Sequence, residues 1–289
     1  MLNSTINQTV LITGCSSGFG LTIAAHLAQE GYRVIPTMRD LDKKGPLQSE
    51  LNKNNLQANI LQLDVTDRAS IREARLQIMD QYGYLDILIN NAGYGIGGFF
   101  EDLSEQEIRD QMETNFFGVQ NITREMIPLM RPRKRGRIIN ISSVSGFSAA
   151  PCFGAYNASK WALEAFSESL FYELKPFGIH VSLIEPGMYP TKIFQENAKY
   201  AKNFDNKSSP YYPYTQHIKN YVYRLLEHCT NSPEEIARLV AQVIKQKNPK
   251  LRYIPDRKTK FVYLLRKVLP FQLYSSMIFR EMMNTDNKR

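Results

Sequence analysis

The chain has 289 residues, 43% apolar and 22% charged, with a formal net charge of +8. That length buries enough surface to fold without disulfides or a structural metal, and the composition excludes a disordered or collagen-like polymer. No apolar run approaches the ~18 residues of a membrane span, and residues 1–8 lack the basic and apolar stretches of a secretory leader. Cys15, Cys152 and Cys229 are widely spaced and odd in number, which fits a reducing, cytoplasmic setting without a disulfide framework. His26, His180, His217 and His228 lack metal-ligand spacing, so no metal is expected. The charge is uneven. Residues 245–289 hold twelve of the 36 Lys and Arg but three of the 28 Asp and Glu, so that tail carries +9 and the remainder −1. A nucleic-acid enzyme would spread its basic residues over a working face instead.

Strand and helix patterns alternate along the chain. Residues 9–12 form a short β-rich apolar run that ends in a glycine-rich turn. Helical spacing follows over 21–29 and stops at Gly31. Residues 33–38 and 60–63 read as the second and third strands, and 71–79 as an amphipathic helix. A fourth strand over 85–90 closes in Asn91-Ala92-Gly93. Ser104 with Glu107 three residues on has the form of a capping box. A helix is predicted over 115–130, a strand over 137–141 and a long helix over 155–174, broken at Lys175-Pro176. Residues 179–184 form a sixth strand, Pro233 opens a helix, and 251–254 offers a seventh strand. Strands fed by helices predict an α/β fold with one doubly wound parallel sheet covered on both faces. Residues 189–223 break the rhythm, being polar, aromatic and proline-containing, and read as an irregular lid insertion. The division expected is a catalytic domain over 1–255 and a basic helical extension over 256–289.

Three clusters carry chemistry. In Thr13-Gly14-Cys15-Ser16-Ser17-Gly18-Phe19-Gly20 the glycines permit a tight turn and close approach of a pyrophosphate to a helix N-terminus. Tyr156 and Lys160 lie four apart, one turn along a helix face. A phenol with pKa ~10 is a poor acid or base at neutral pH, and a neighbouring ammonium stabilises its phenolate. Ser142-Ser143 follows a strand, where parallel sheets bind ligands.

Together these residues resemble the short-chain dehydrogenase/reductase (SDR) family. The resemblance covers about residues 9–194 with motifs in family order, and runs more loosely to 254. It rests on the glycine turn, Asp64, Asn90-Asn91-Ala92-Gly93, Asn115, Ser143, Tyr156-x-x-x-Lys160 and Pro186-Gly187. The thirteen residues from Ser143 to Tyr156 match the family interval and select Ser143 over Ser142. The resemblance implies a Rossmann-type fold and four catalytic residues. Tyr156 would be the general acid or base and Ser143 would bind the reacting oxygen. Lys160 would hold the nicotinamide ribose and depress the tyrosine pKa, and Asn115 would hold a relay water. Gly14, Ser16, Ser17, Gly18, Phe19 and Gly20 would cradle the dinucleotide. Asp64 and Val65 would meet adenine. Asn91, Ala92, Gly93, Pro186 and Gly187 would line the cofactor groove, and Thr191 would reach the carboxamide.

Cofactor choice turns on the end of the second strand. The family's acidic position falls on Met38, and Arg39 follows, which is the NADP-preferring pattern, with NAD(H) second. Asp40 reads as a helix cap. The wording of residues 11–18, 37–41, 176–180 and 182–187 is similar to the 17β-hydroxysteroid and retinol dehydrogenase branch. That implies a bulky apolar alcohol or ketone, with Phe147, Phe153, Tyr189 and Phe194 as candidate pocket residues. The alternatives are a reductase of small polar carbonyls such as a sugar or 3-oxoacyl group, and a non-catalytic NADP-binding redox regulator. The family resemblance also implies a homodimer or homotetramer paired through the 155–174 helix.

Residues 258–269 form a basic amphipathic helix that ends at Pro270, and 271–283 a second apolar-faced one. The stripe reads first as packing on the domain or a partner subunit, with its lysines in water. Peripheral contact with an anionic membrane is the second reading. No nucleic-acid partner is expected.

Overall fold

A computed structural model describes residues 8–191 and 199–285. The elements in chain order are β1 (Thr9–Ile12), α1 (Gly18–Gln29), β2 (Arg33–Met38), α2 (Gly45–Lys53), β3 (Leu61–Gln62), α3 (Arg68–Tyr82) and β4 (Ile87–Asn90). Then come β5 (Ile96–Gly97), α4 (Glu105–Met112), α5 (Gly118–Met130), β6 (Gly136–Ile141), α6 (Gly154–Leu174) and β7 (Ile179–Ile184). The C-terminal part holds β8 (Lys199–Tyr200), α7 (Tyr212–Glu227), α8 (Pro233–Lys245), β9 (Arg252–Tyr253), α9 (Arg257–Val268) and α10 (Phe271–Met282).

Seven strands form one parallel sheet in the order β3-β2-β1-β4-β6-β7-β9. Alternation along each strand sends side chains to two cores. Val10, Ile12, Val34, Ile139 and Ile184 pack under α1, α2 and α8. Leu11, Ile35, Leu88, Ile138 and Val181 pack under α3, α5 and α6. The α/β doubly wound architecture is therefore as expected. Strand order reverses between β1 and β4, whose C-terminal ends part to open a crevice.

Local caps follow the sequence. Ser104 accepts from the Glu107 N–H while Glu107 reaches back to Ser104, a complete capping box. Asp67 accepts from Ala69 N–H, which starts α3 at Arg68, three residues before the apolar periodicity begins. α1 likewise begins at Gly18, three residues before the apolar periodicity at Leu21, because glycines at 18 and 20 interrupt that pattern in its first turn.

Three expectations change. Residues 189–223 are not wholly irregular, because α7 fills 212–227 with Pro213 in its first turn. α7 buries Ile218 against Phe99, Phe204 and Met282 in a third apolar cluster. α2 forms where no element was predicted. The helix predicted from Asn115 starts instead with a π-helical turn, Glu113–Phe117, ahead of α5.

A buried polar column ties the sheet to α6. Asn90 and Asn140 stand opposite each other on β4 and β6. Asn90 Nδ2 donates to Asn140 Oδ1 at 2.8 Å and to Thr123 Oγ1 at 3.1 Å. Asn140 Nδ2 donates to Ser167 Oγ at 2.8 Å, and Ser167 donates to Leu163 O. Asn140→Ala strands both neighbours without water to replace it. It is expected to cost about 2–4 kcal/mol of unfolding free energy, read as a lowered urea midpoint with unchanged m-value.

Candidate active site

The glycine turn is fixed before any ligand arrives. Gly14 and Gly18 have φ of +72° and +57°, which side chains disfavour. A Cβ on Gly14 would lie 2.8 Å from Ala92 Cα, and one on Gly20 would strike the Gly14 carbonyl. Thr13 Oγ1 accepts from the N–H groups of Asn91 (3.0 Å) and Ala92 (2.9 Å). Asn91 Nδ2 donates to Thr13 O (2.8 Å) and Gly14 O (3.1 Å). The turn after β1 is thereby bolted to the end of β4, with the N-terminus of α1 opening above it. Ser16, Ser17 and Phe19 lie in this turn and the first turn of α1, and Thr191 stands beside Gly18. The hollow suits a pyrophosphate because side chains are excluded there and N–H groups face it.

Other candidates gather along the same sheet edge. Asp64 follows β3, where its Oδ1 accepts from Thr66 N–H and Oγ1–H. Val65 is buried against Gly118. Gly93 approaches the Asn115 side chain. Arg39 is exposed just past β2. Asp40 caps the turn Leu41–Lys44 by accepting from Asp42 N–H at 3.0 Å, as its sequence predicts. Its carboxylate is thus committed to the backbone while the Arg39 guanidinium faces solvent.

Ser143 follows β6, and Tyr156 and Lys160 rise from the first turns of α6. Ser143 Oγ accepts from Ser145 N–H at 3.1 Å, and its hydroxyl lies beside the Tyr156 phenol. The Tyr156 ring lies over Gly95. Burial pushes the phenol above its ordinary value, and the neighbouring Ser143 hydroxyl pulls it back. Lys160 Nζ sits 5.9 Å from the ring centroid and donates to Ile141 O at 2.8 Å. Burial holds the Lys160 ammonium down to about 8, offset in part by Glu164.

Asn115 is buried in the π-helical turn, and both hydrogens of its amide are engaged. Nδ2 donates to Tyr94 O and Ser159 Oγ, and Oδ1 accepts from Tyr94 N–H. Its side chain therefore braces the site, with one lone pair of Oδ1 left over. Ser159 completes the brace by donating to Tyr156 O at 2.7 Å.

The proposed pocket residues separate. Phe147 packs edge-to-face with Tyr263 at 5.1 Å, and Phe153 lies beside the third apolar cluster. Tyr189 does not line the pocket. It is buried in the core under α1 and α8, edge-to-face with Phe19 at 5.4 Å. Phe194 lies outside the described residues.

Sequence reasoning missed the groups that hold the loops. Val144 N–H donates to Pro186 O, and Gly187 N–H donates to Asp256 Oδ2 at 3.2 Å. Asp256 Oδ1 accepts from Thr259 N–H, capping α9. An aspartate just before a basic helix is a readable cap, but its reach back to Gly187 is not. Glu164 and Glu185 are buried together beneath Ser142, which donates to Glu164 Oε1. Arg252 reaches Glu164 (3.2 Å), Glu185 (3.4 Å) and Glu168 (2.9 Å). Burial, with repulsion from Glu164, pushes Glu185 up to about 9. All three cysteines are free, and no group of metal-ligating side chains is found among the described residues.

The short chain dehydrogenase family model matches residues 8–202. A 3-ketodihydrosphingosine reductase of Bacteroides thetaiotaomicron is 37% identical, over 85% of this chain and 86% of its own. The retinol dehydrogenase 8 of Bos taurus is 36% identical, over 85% and 80%. A metagenomic short-chain oxidoreductase solved in complex with NADP superposes with a TM-score of 0.69. It is 27% identical and covers 88% of this chain and all of that one.

The raised Glu185 has a signed consequence. Between its ordinary 4.5 and about 9 the folded protein keeps a proton that the unfolded chain releases. Stability therefore falls as pH rises through that window, with a slope of up to about 1.4 kcal/mol per unit. Glu185→Gln removes this loss. Its thermal midpoint is expected to match the parent near pH 5 and to exceed it by several degrees at pH 8.

Proposed function

The chain belongs to the short-chain dehydrogenase/reductase family, an enzyme family acting on CH–OH groups, and on that premise we propose an NADP(H)-dependent oxidoreductase of bulky apolar alcohols and ketones. One observation carries the reading. The Ser143 hydroxyl and the Tyr156 phenol stand together past the end of β6, with Lys160 one helical turn below. Tyr156 O–H is the proton donor to a carbonyl oxygen, or its phenolate the acceptor from an alcohol. Ser143 Oγ holds the same oxygen and fixes the substrate's approach. Lys160 stands where a nicotinamide ribose would take its N–H bonds in place of Ile141 O, and a charged ammonium there favours phenolate. The nicotinamide, when bound, supplies or takes the hydride. The glycine turn fits a pyrophosphate, and Pro186, Gly187 and Thr191 flank the position its nicotinamide half would take.

NADP over NAD is supported by Arg39, free to meet a 2′-phosphate, and by Asp40, whose carboxylate is used as a cap. The NADP complex of the metagenomic relative agrees with it. The apolar substrate is supported by Phe147, Phe153 and the third apolar cluster beside the site, and by relatives named for a long-chain ketone and for retinol. Pairing of two chains through α6 is supported by Trp161 and Tyr172, large side chains left exposed on that helix. Among the described residues no helix is long and apolar enough to cross a membrane.

Tyr156→Phe is expected to lower kcat for reduction of an apolar ketone by about 10²–10⁴-fold while NADPH binding persists. Equal turnover in the variant would refute the assignment. Arg39→Ala is expected to lower kcat/KM for NADPH by about 10–100-fold and to leave NADH nearly unchanged, since one charge-assisted contact is lost. Steady-state kinetics with both cofactors reads the ratio.

A further inference from the structure

α9 turns its two faces to different surroundings. Thr259 and Tyr263 face the protein, where Tyr263 meets Phe147. Phe261, Leu264 and Val268, spaced i, i+3 and i+7, face outward and are 60%, 55% and 69% exposed. At about 100° per residue, Lys258 falls on one side of that stripe and Lys260 and Lys267 on the other. All three lysines are exposed. The stripe therefore does not pack on its own domain, which is one arm of the first sequence reading. α10 likewise leaves Leu273 and Met277, four apart on one of its faces, exposed. Arg266 stands 5.4 Å from the Phe271 ring and 5.6 Å from the Tyr274 ring, which fixes the corner between the helices.

Water is a poor partner for so many large apolar groups in so short a segment. The charge beside them names a better one. Residues 257–282 hold six Arg and Lys and one acidic residue, Glu281. Large apolar side chains bordered by lysines suit the boundary between anionic headgroups and acyl chains. There the apolar tips enter the bilayer and the lysine stems reach the phosphates. We infer that the outer face of α9 and α10 is a seat for an anionic lipid surface. A second copy of this chain is disfavoured as occupant, because each face would bring a net +5 against its like.

The seat is mechanically joined to the site. Ser148 Oγ hydrogen-bonds the Tyr274 hydroxyl, and Asp256 joins α9 to Gly187. A bound bilayer would lie beside the pocket mouth, close to apolar substrate. Lipid binding does not depend on the reaction proposed above, whereas the benefit to substrate supply rests on it.

The test is co-sedimentation of the full chain with vesicles of phosphatidylcholine alone and of phosphatidylcholine with phosphatidylglycerol, at low and high salt. Binding to the anionic vesicles that weakens with salt is expected. Phe261→Glu with Leu264→Glu and Val268→Glu should abolish it while the melting curve and turnover of a water-soluble ketone persist. Lys258→Gln with Lys260→Gln and Lys267→Gln should weaken it on the order of a hundredfold. Parent protein left in the supernatant with anionic vesicles at low salt overturns the inference. So does a triple-Glu variant that binds as the parent does. A parent dimer that the Glu variant splits, with no vesicle binding by either, reassigns the face to a second copy. Failure of turnover in every protein, with vesicle binding intact, would count against the proposed reaction alone.

Discussion

Four hydrogen bonds at the parting of β1 and β4 set the frame on which the site depends. Thr13 and Gly14 share them with Asn91 and Ala92 across the point where strand order reverses. They place the glycine turn where α1 presents its first N–H groups, and they forbid a side chain at Gly14 and Gly20. A single threonine hydroxyl accepts two backbone N–H groups, so the two loops cannot drift independently. The remaining parts of the site are measured from this joint. Asn115 fits against Gly93, two residues past Asn91, and Ser159 fits against Asn115.

The site is built from buried polar groups, and each has been given work inside the fold. Asn115 and Ser159 hold the backbone around Tyr94 and Tyr156. Asn90, Asn140 and Ser167 hold β4, β6 and α6 together. Glu164 and Glu185 place acid beneath Ser142 and one turn from Lys160, with Arg252 as the counter-charge. Low local dielectric makes each such group costly when unpaired, so this interior is rigid by necessity. Rigidity there holds Ser143 and Tyr156 in a fixed relation to each other.

Much of the frame is legible in the sequence, because its signals are local. The glycine turn, the Ser104–Glu107 box, the Asp40 cap and the Tyr156–Lys160 spacing each lie within a few residues. The misreadings share one cause, which is contact between distant segments. Tyr189 looks like a lid residue until its ring is seen packed on Phe19. α7 carries a helical repeat in Tyr214, Ile218, Tyr221 and Val222, but prolines and tyrosines before it read as turn chemistry. Asn115 has its family position, yet its amide partners come from residues 21 and 44 positions away. Asp256 was readable as a cap and not as the acceptor for Gly187, 69 residues earlier.

That last bond bears on how the protein is made. A nascent chain emerges N-terminus first, at about 5–20 residues per second. The glycine turn and the Tyr156 helix leave the ribosome well before Arg252, Asp256 and Tyr274. Those three late residues supply the cation beside Glu164 and Glu168, the acceptor for Gly187 and the partner for Ser148. Until they arrive, the loops after β6 and β7 lack their fastenings. The candidate site is therefore fastened only once residue 274 has been made, and a chain terminated before residue 252 keeps the glycine cradle without those fastenings.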